Sequence, residues 1–308
     1  MKKVIGLFLS LIVLMGLSAC EAELPDDSKK PNPGPKPEET ECLTFVSSGE
    51  SSVTLVKVGK PFDISLEYSL DGTSWNSYTI GETIYLLEDK LSVRAGERGN
   101  RRLSKGKDDY YQFIFSGEIA ARGNIMSLLD KSCRKNAIPS YAFFNLFRDC
   151  TGLTKAPELP ATNLAERCYW GMFSGCTSLT EAPELSATAL TEACYSSMFS
   201  GCTNLTEAPE LPATELAGSC YFGMFKDCTK LTKGPALPAV NLADNCYGEM
   251  FYRCENLSYI KALFTDEPSE ETTKNWLSGV APTGTFVKSK DATWHVRGDN
   301  GIPKGWTV

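Results

Sequence analysis

The sequence predicts an α/β solenoid of five 26-residue units, preceded by a small all-β sandwich, and three observations carry that prediction. Cys150, Cys176, Cys202, Cys228 and Cys254 fall in one column and Cys168, Cys194, Cys220 and Cys246 in another, each spaced by 26 residues. From Cys168 to Cys176 the apolar residues sit at offsets 0, 1, 4, 5 and 8, one stripe of a helix about two turns long. From Ile64 to Leu70 apolar and polar residues alternate, the period of a half-buried strand, and Asp71-Gly72 follows as a turn pair.

The chain begins with Lys2 and Lys3, an apolar run from Val4 to Leu17, and small residues ahead of Cys20. Residues 1–19 read as a secretory signal peptide. Leu17-Ser18-Ala19-Cys20 resembles the lipobox of bacterial lipoproteins, which implies a lipid on Cys20 and membrane contact through that anchor alone. Residues 20–41 then form a linker with five prolines and no aromatic residue, a composition that stays extended and solvated. Glu21, Glu23, Asp26 and Asp27 just behind the cysteine resemble the surface-export signal of Bacteroidetes lipoproteins, and solvated linker charge would look much the same. The expected location is the outer membrane, facing outward.

Residues 42–122 are assigned to the sandwich. Alternating or apolar stretches at 53–58, 64–70, 83–87 and 111–115 give several short strands, as a small two-sheet domain requires. Between two of them runs a basic loop with Arg98, Arg101, Arg102, Lys105 and Lys107, most simply read as solvated charge.

Residues 123–264 carry the repeat. The stripe recurs as Cys194, Tyr195, Met198, Phe199, Cys202, then twice more at the same offsets, and opens as Ala142, Phe143, Leu146, Phe147, Cys150. A unit of this size cannot bury its stripe alone, so it must stack on its neighbours. The helical MFxxC element, the leucine two residues after each Cys-Thr pair and the short strand with Pro and Leu resemble the BspA-like leucine-rich repeats of bacterial surface proteins. The end piece from Trp276 to Trp306 is similar to that of Bacteroides proteins of this kind. The resemblance implies a leucine-rich repeat solenoid and an adhesin that binds host matrix or bacterial surface proteins. Pro157, Pro183, Pro209 and Pro235 depart from it: inside the expected strands each removes a ladder bond, so the sheet should be narrow, with about three paired residues per strand. Residues 265–308, with Trp276, Trp294 and Trp306, form the expected C-terminal cap.

Three roles compete for the cysteine columns: zinc ligands, disulfides and core. No pair has the short gap of a metal knuckle and the one histidine, His295, lies outside the repeats, so no metal is expected. Ala142 in the same column favours the core reading, since buried cysteine behaves as a small hydrophobe. Bridges between neighbouring repeats stay open as an alternative.

The strand side should expose Lys155, Glu181, Glu207 and Lys233 in one column and Glu158, Glu184 and Glu210 in the next. At the spacing of neighbouring strands, adjacent like charges repel by around 0.8 kcal/mol even in water, which a basic partner would relieve. These seven residues are the candidate binding site for a protein ligand. On the other side the third position of each unit reads Phe144, Trp170, Ser196, Phe222 and Gly248, so Phe144, Trp170 and Phe222 are the alternative site, for a glycan. Arg297, Gly298 and Asp299 spell the tripeptide that integrin ligands carry on exposed loops. The sequence shows no nucleophile elbow and no phosphate-binding loop, and a net charge of -7 argues against nucleic acid. No enzyme activity and no cofactor are expected. The reading is a surface lipoprotein that binds protein through its repeats, with an accessory glycan-binding lipoprotein of a polysaccharide-uptake system as the alternative.

Overall fold

The computed structural model describes residues 41–308; the predicted signal peptide (1–19), the lipidation site Cys20 and the linker up to residue 40 lie outside the described residues. Strands are numbered in chain order. One sheet takes, in spatial order, β4 (Asn76–Ser77), β3 (Leu66–Ser69), β6 (Lys90–Ala95), β1 (Leu43–Ser47), β8 (Ile119–Arg122) and β9 (Leu153–Lys155). The second takes β5 (Thr83–Leu87), β2 (Glu50–Val58) and β7 (Tyr110–Ser116). Pairing is antiparallel until β8 meets β9, where it turns parallel. That meeting is close: a Cβ on Gly152 would lie 2.0 Å from the Gly117 carbonyl oxygen, so only glycine fits. The first repeat is thus hydrogen-bonded onto the sheet of the N-terminal strands. Phe45, Phe113 and Phe147 fill the junction, with the last two rings stacked at 5.4 Å.

The apolar stripes are not α-helices, and this corrects the sequence reading. Residues 166–175 form a run of turns in which alternate amides bond in two directions. The N–H groups of Cys168, Trp170, Met172, Ser174 and Cys176 donate three residues back within the run, while those of Tyr169, Gly171, Phe173 and Gly175 donate to the carbonyls of Cys194, Ser196, Met198 and Ser200 in the next unit. An α-helix would consume every amide internally and leave stacking to side chains alone. Here about half the amides tie one unit to the next. The arrangement repeats every four residues and needs a left-handed residue at each repeat: Arg167 (φ 51°), Gly171 (60°) and Gly175 (77°). Where that residue is not glycine, as at Ala193 and Glu249, the backbone holds a conformation that costs about 1 kcal/mol and that the inter-unit bonds must offset.

The run occurs at 140–149, 166–175, 192–201, 218–227, 244–253 and 270–279, so the part assigned to the cap contributes a sixth copy. Each stacked copy places like on like. Phe147, Phe173, Phe199, Phe225 and Phe251 form a column with centroids 5.6 to 5.7 Å apart, and Tyr169, Tyr195, Tyr221 and Tyr247 a parallel one at 5.9 to 6.2 Å. The cysteines of the repeats are all buried. Those of the first column also do something alanine cannot: Cys176, Cys202 and Cys228 each direct the thiol at the carbonyl of Phe147, Phe173 and Phe199, 3.1 Å away in the preceding tier.

On the strand side the ladder is narrow. After β9 it continues through single bridges from Lys155 to Glu181 and from Glu181 to Glu207. Beyond Glu207 a separate parallel sheet follows, of β10 (Lys233–Leu237), β11 (Tyr259–Ala262), β12 (Gly284–Lys288) and β13 (Trp306–Thr307). Pro183 and Pro209 lie in the narrow stretch, where their missing N–H groups remove ladder donors. Pro235, however, lies inside the five-residue β10, where the register with β11 shifts between Lys233 and Ala236, so proline does not narrow every strand as the sequence suggests.

Candidate functional site

The strand side presents its charged columns to solvent. Lys155, Glu158, Glu181, Glu184, Glu207, Glu210 and Lys233 are all exposed. The single bridges set Lys155 beside Glu181 and Glu181 beside Glu207. The outer column therefore reads Lys, Glu, Glu, Lys and balances itself, whereas the inner column of Glu158, Glu184 and Glu210 carries three negative charges that no ion pair among the described residues neutralises. Lys233 is partly occupied, its ammonium lying 5.4 Å from the centre of the Tyr259 ring. Across the first two tiers lies a concavity of about 460 Å³, with Lys155, Glu158, Glu181 and Glu184 among its charged residues and Ala156, Pro157, Leu159 and Pro183 among its apolar ones. An apolar floor ringed by carboxylates suits the stem and ammonium of lysine, or the stem and guanidinium of arginine.

The other side differs from its sequence reading. Phe144 is only 2% exposed, because the Trp170 indole stacks on it at 4.6 Å and Tyr110 and Tyr141 close around its edge. It is a support for Trp170 and not a platform of its own. Trp170 and Phe222 remain half-buried and reachable. Phe222 leans over the next tier, with ring carbons 2.9 and 3.1 Å from where a side chain on Gly248 would begin, which explains the glycine there.

Sequence reasoning missed the residues around this aromatic pair. Arg167 donates to the Tyr141 hydroxyl (2.7 Å) and pairs with Glu166 and Glu192, and the hydrogen bond to Tyr141 is the main reason its guanidinium is held even more firmly protonated than usual. With the loop Lys105–Asp109, Tyr141, Arg167 and Trp170 line a hollow of about 610 Å³. A second hollow of about 230 Å³ lies between Trp170 and Phe222, with Ser197, Ser200, Lys226 and Glu249 on its walls. The basic loop and the aromatics Phe144, Trp170 and Phe222 are legible in the sequence, but nothing local in it says that a loop of the N-terminal sheets reaches the first two turn runs.

The Arg-Gly-Asp tripeptide does sit on a turn, closed by Gly301 N–H to the Gly298 carbonyl and by Gly298 N–H to Ile302. Its arginine is committed elsewhere, however, donating to the carbonyls of Trp306 (2.9 Å) and Pro303 (3.4 Å). Asn300 and Gly301 are bonded in turn to Thr273, Asn275 and Trp276 of the sixth run. Arg297 thus fastens the C-terminal strand, while it and Asp299 both remain exposed on the turn.

His295 is exposed, and among the described residues no three potential metal ligands gather. Comparison of the chain with models of protein families, with curated proteins and with solved structures gives no match in any of the three.

Proposed function

We propose that this protein is a surface-exposed lipoprotein of the BspA-like leucine-rich repeat type, anchored through Cys20 in the outer membrane, whose stacked repeats form a solenoid that binds a basic segment of a protein partner. The observation that carries this reading is the inner column of Glu158, Glu184 and Glu210, three exposed carboxylates on successive tiers with no cationic partner among the described residues and an apolar floor beside them. A chain that had no use for such a row would lose little by breaking it with serine or lysine. A bound lysine- or arginine-rich segment would relieve the repulsion.

The test uses the full chain against an immobilised dodecalysine peptide and against fibronectin and laminin as matrix proteins. Replacing Glu181, Glu184, Glu207 and Glu210 together with Gln should weaken retention on the peptide, and on whichever matrix protein binds, by roughly tenfold, and should flatten the salt dependence. Unchanged affinity would leave the glutamates as surface charge alone.

A further inference from the structure

The turn side holds a second candidate that shares no residue with the strand-side concavity. Trp170 lines both hollows there and forms the ridge between them. One face of its indole rests on Phe144 in the preceding tier, so the other faces the following tier. In that tier the equivalent position is Ser196, whose hydroxyl bonds the Phe222 carbonyl at 3.2 Å. An aromatic residue at Ser196 would have continued the stack and closed the gap. As it stands, Trp170 and Phe222 are two tiers apart, about 11 Å at the 5.7 Å ring spacing of the adjacent phenylalanine column.

The polar groups on the walls are of one kind. Lys226 and Glu249 lie 2.9 Å apart, an ammonium and a carboxylate side by side, and Arg148 and Asp149 form a second such pair at 3.4 Å near the same edge. The Lys226–Glu249 pair is neutral overall, and Arg148 borders the slot while its partner Asp149 lies outside the lining. Lys226 with Glu249 offers a donor next to an acceptor, which matches two adjacent hydroxyls, and Ser197 and Ser200 add hydroxyls of their own. Asn145, 3% exposed, borders the slot, and its Oδ1 has no hydrogen-bond partner. The first hollow adds Tyr141, Arg167, Lys107 and Asp108 as further hydrogen-bonding groups. A flat aromatic face flanked by a neutral donor–acceptor pair and by hydroxyls fits a sugar ring, whose C–H face is apolar and whose rim is hydroxyl, better than it fits a wholly apolar ligand.

We propose that the two hollows and the Trp170 ridge form a binding groove for a neutral oligosaccharide, one sugar unit stacking on the indole and its neighbours seated on either side. The test is calorimetric titration of the full chain with maltohexaose, cellohexaose, laminarihexaose, xylohexaose and mannohexaose. At least one should bind saturably. Trp170→Ala and Ser200→Phe, the second of which fills the slot without touching the buried ring columns, should each weaken it at least tenfold, with circular dichroism confirming that both variants fold. The Glu181, Glu184, Glu207 and Glu210 to Gln variant should bind the sugar as well as the parent does, which separates this groove from the strand side. No saturable binding by any of the five, or binding undiminished in both Trp170→Ala and Ser200→Phe, would overturn the proposal.

Discussion

Phe199→Ala is expected to lower the free energy of unfolding by about 3–5 kcal/mol, the range for removing a large aromatic side chain from a packed core. Phe199 has no exposed surface and lies between Phe173 and Phe225, each 5.7 Å away and nearly parallel. The cavity has little means of collapse, because the tiers on either side are held at a fixed separation by backbone bonds: Phe199 N–H donates to Met224, and its carbonyl accepts from Cys202 N–H and the Cys228 thiol. Alanine keeps the backbone part of that network and loses the ring contacts. Since each tier touches only its neighbours, the weakened tier should also divide the stack, and urea unfolding followed by circular dichroism should broaden or split. A loss below about 1 kcal/mol would mean that the column is not packed as described.

A second large effect is expected in alkali. Nine cysteines are buried in the repeats. Burial pushes all of their thiols up from an ordinary value of 9.0, to about 11 for Cys194 and about 12 for Cys246 and Cys254, and higher for the rest. Below pH 9 the thiols are protonated in both folded and unfolded chains, and their contribution to stability is fully present. Above pH 9 the unfolded chain releases protons that the folded chain retains, so stability falls with rising pH until the folded thiols ionise as well. Each thiol gives up about 1.4 kcal/mol per pH unit in that window. Nine acting together would exhaust a stability of ordinary size, about 5–15 kcal/mol, within about one unit. The melting temperature should therefore be level from pH 7 to 8.5 and collapse near pH 10. A melting temperature unchanged to pH 10.5 would show that the thiols are bridged or already open to solvent.

The repeat, its columns and the exposed charges could be read directly, because a 26-residue period is a property of the sequence and exposure follows from the buried positions beside it. The strand stretches at 53–58, 64–70, 83–87 and 111–115 overlap β2, β3, β5 and β7. The stripes were misread for a physical reason. Residues four apart drift by only about 40° on an α-helix, so offsets 0, 4 and 8 fit a short helix and a strict four-residue turn almost equally well. Gly171 and Gly175, and Gly201 and Gly223 in later copies, were the available signal, because glycine every fourth residue suits a recurrent left-handed position and weakens a helix. The sixth run is not legible because its buried positions include Thr272 and Thr273, and the shorter of the Thr273 hydroxyl's two bonds goes to the distant Asn300 carbonyl. The burial of Phe144 depends on Tyr110, which arrives from β7, and no local pattern announces it.

Carboxylate footprinting is the most direct test of where the partner docks. The full chain would be treated with a carbodiimide and an amine, with and without saturating dodecalysine, and modification read residue by residue by mass spectrometry. The account predicts that Glu158, Glu184 and Glu210 are modified in the free chain and protected in the complex, while Glu192, Glu215 and Glu271, exposed but outside those columns, are modified equally in both. Protection spread evenly over all six, or confined to the last three, would contradict it.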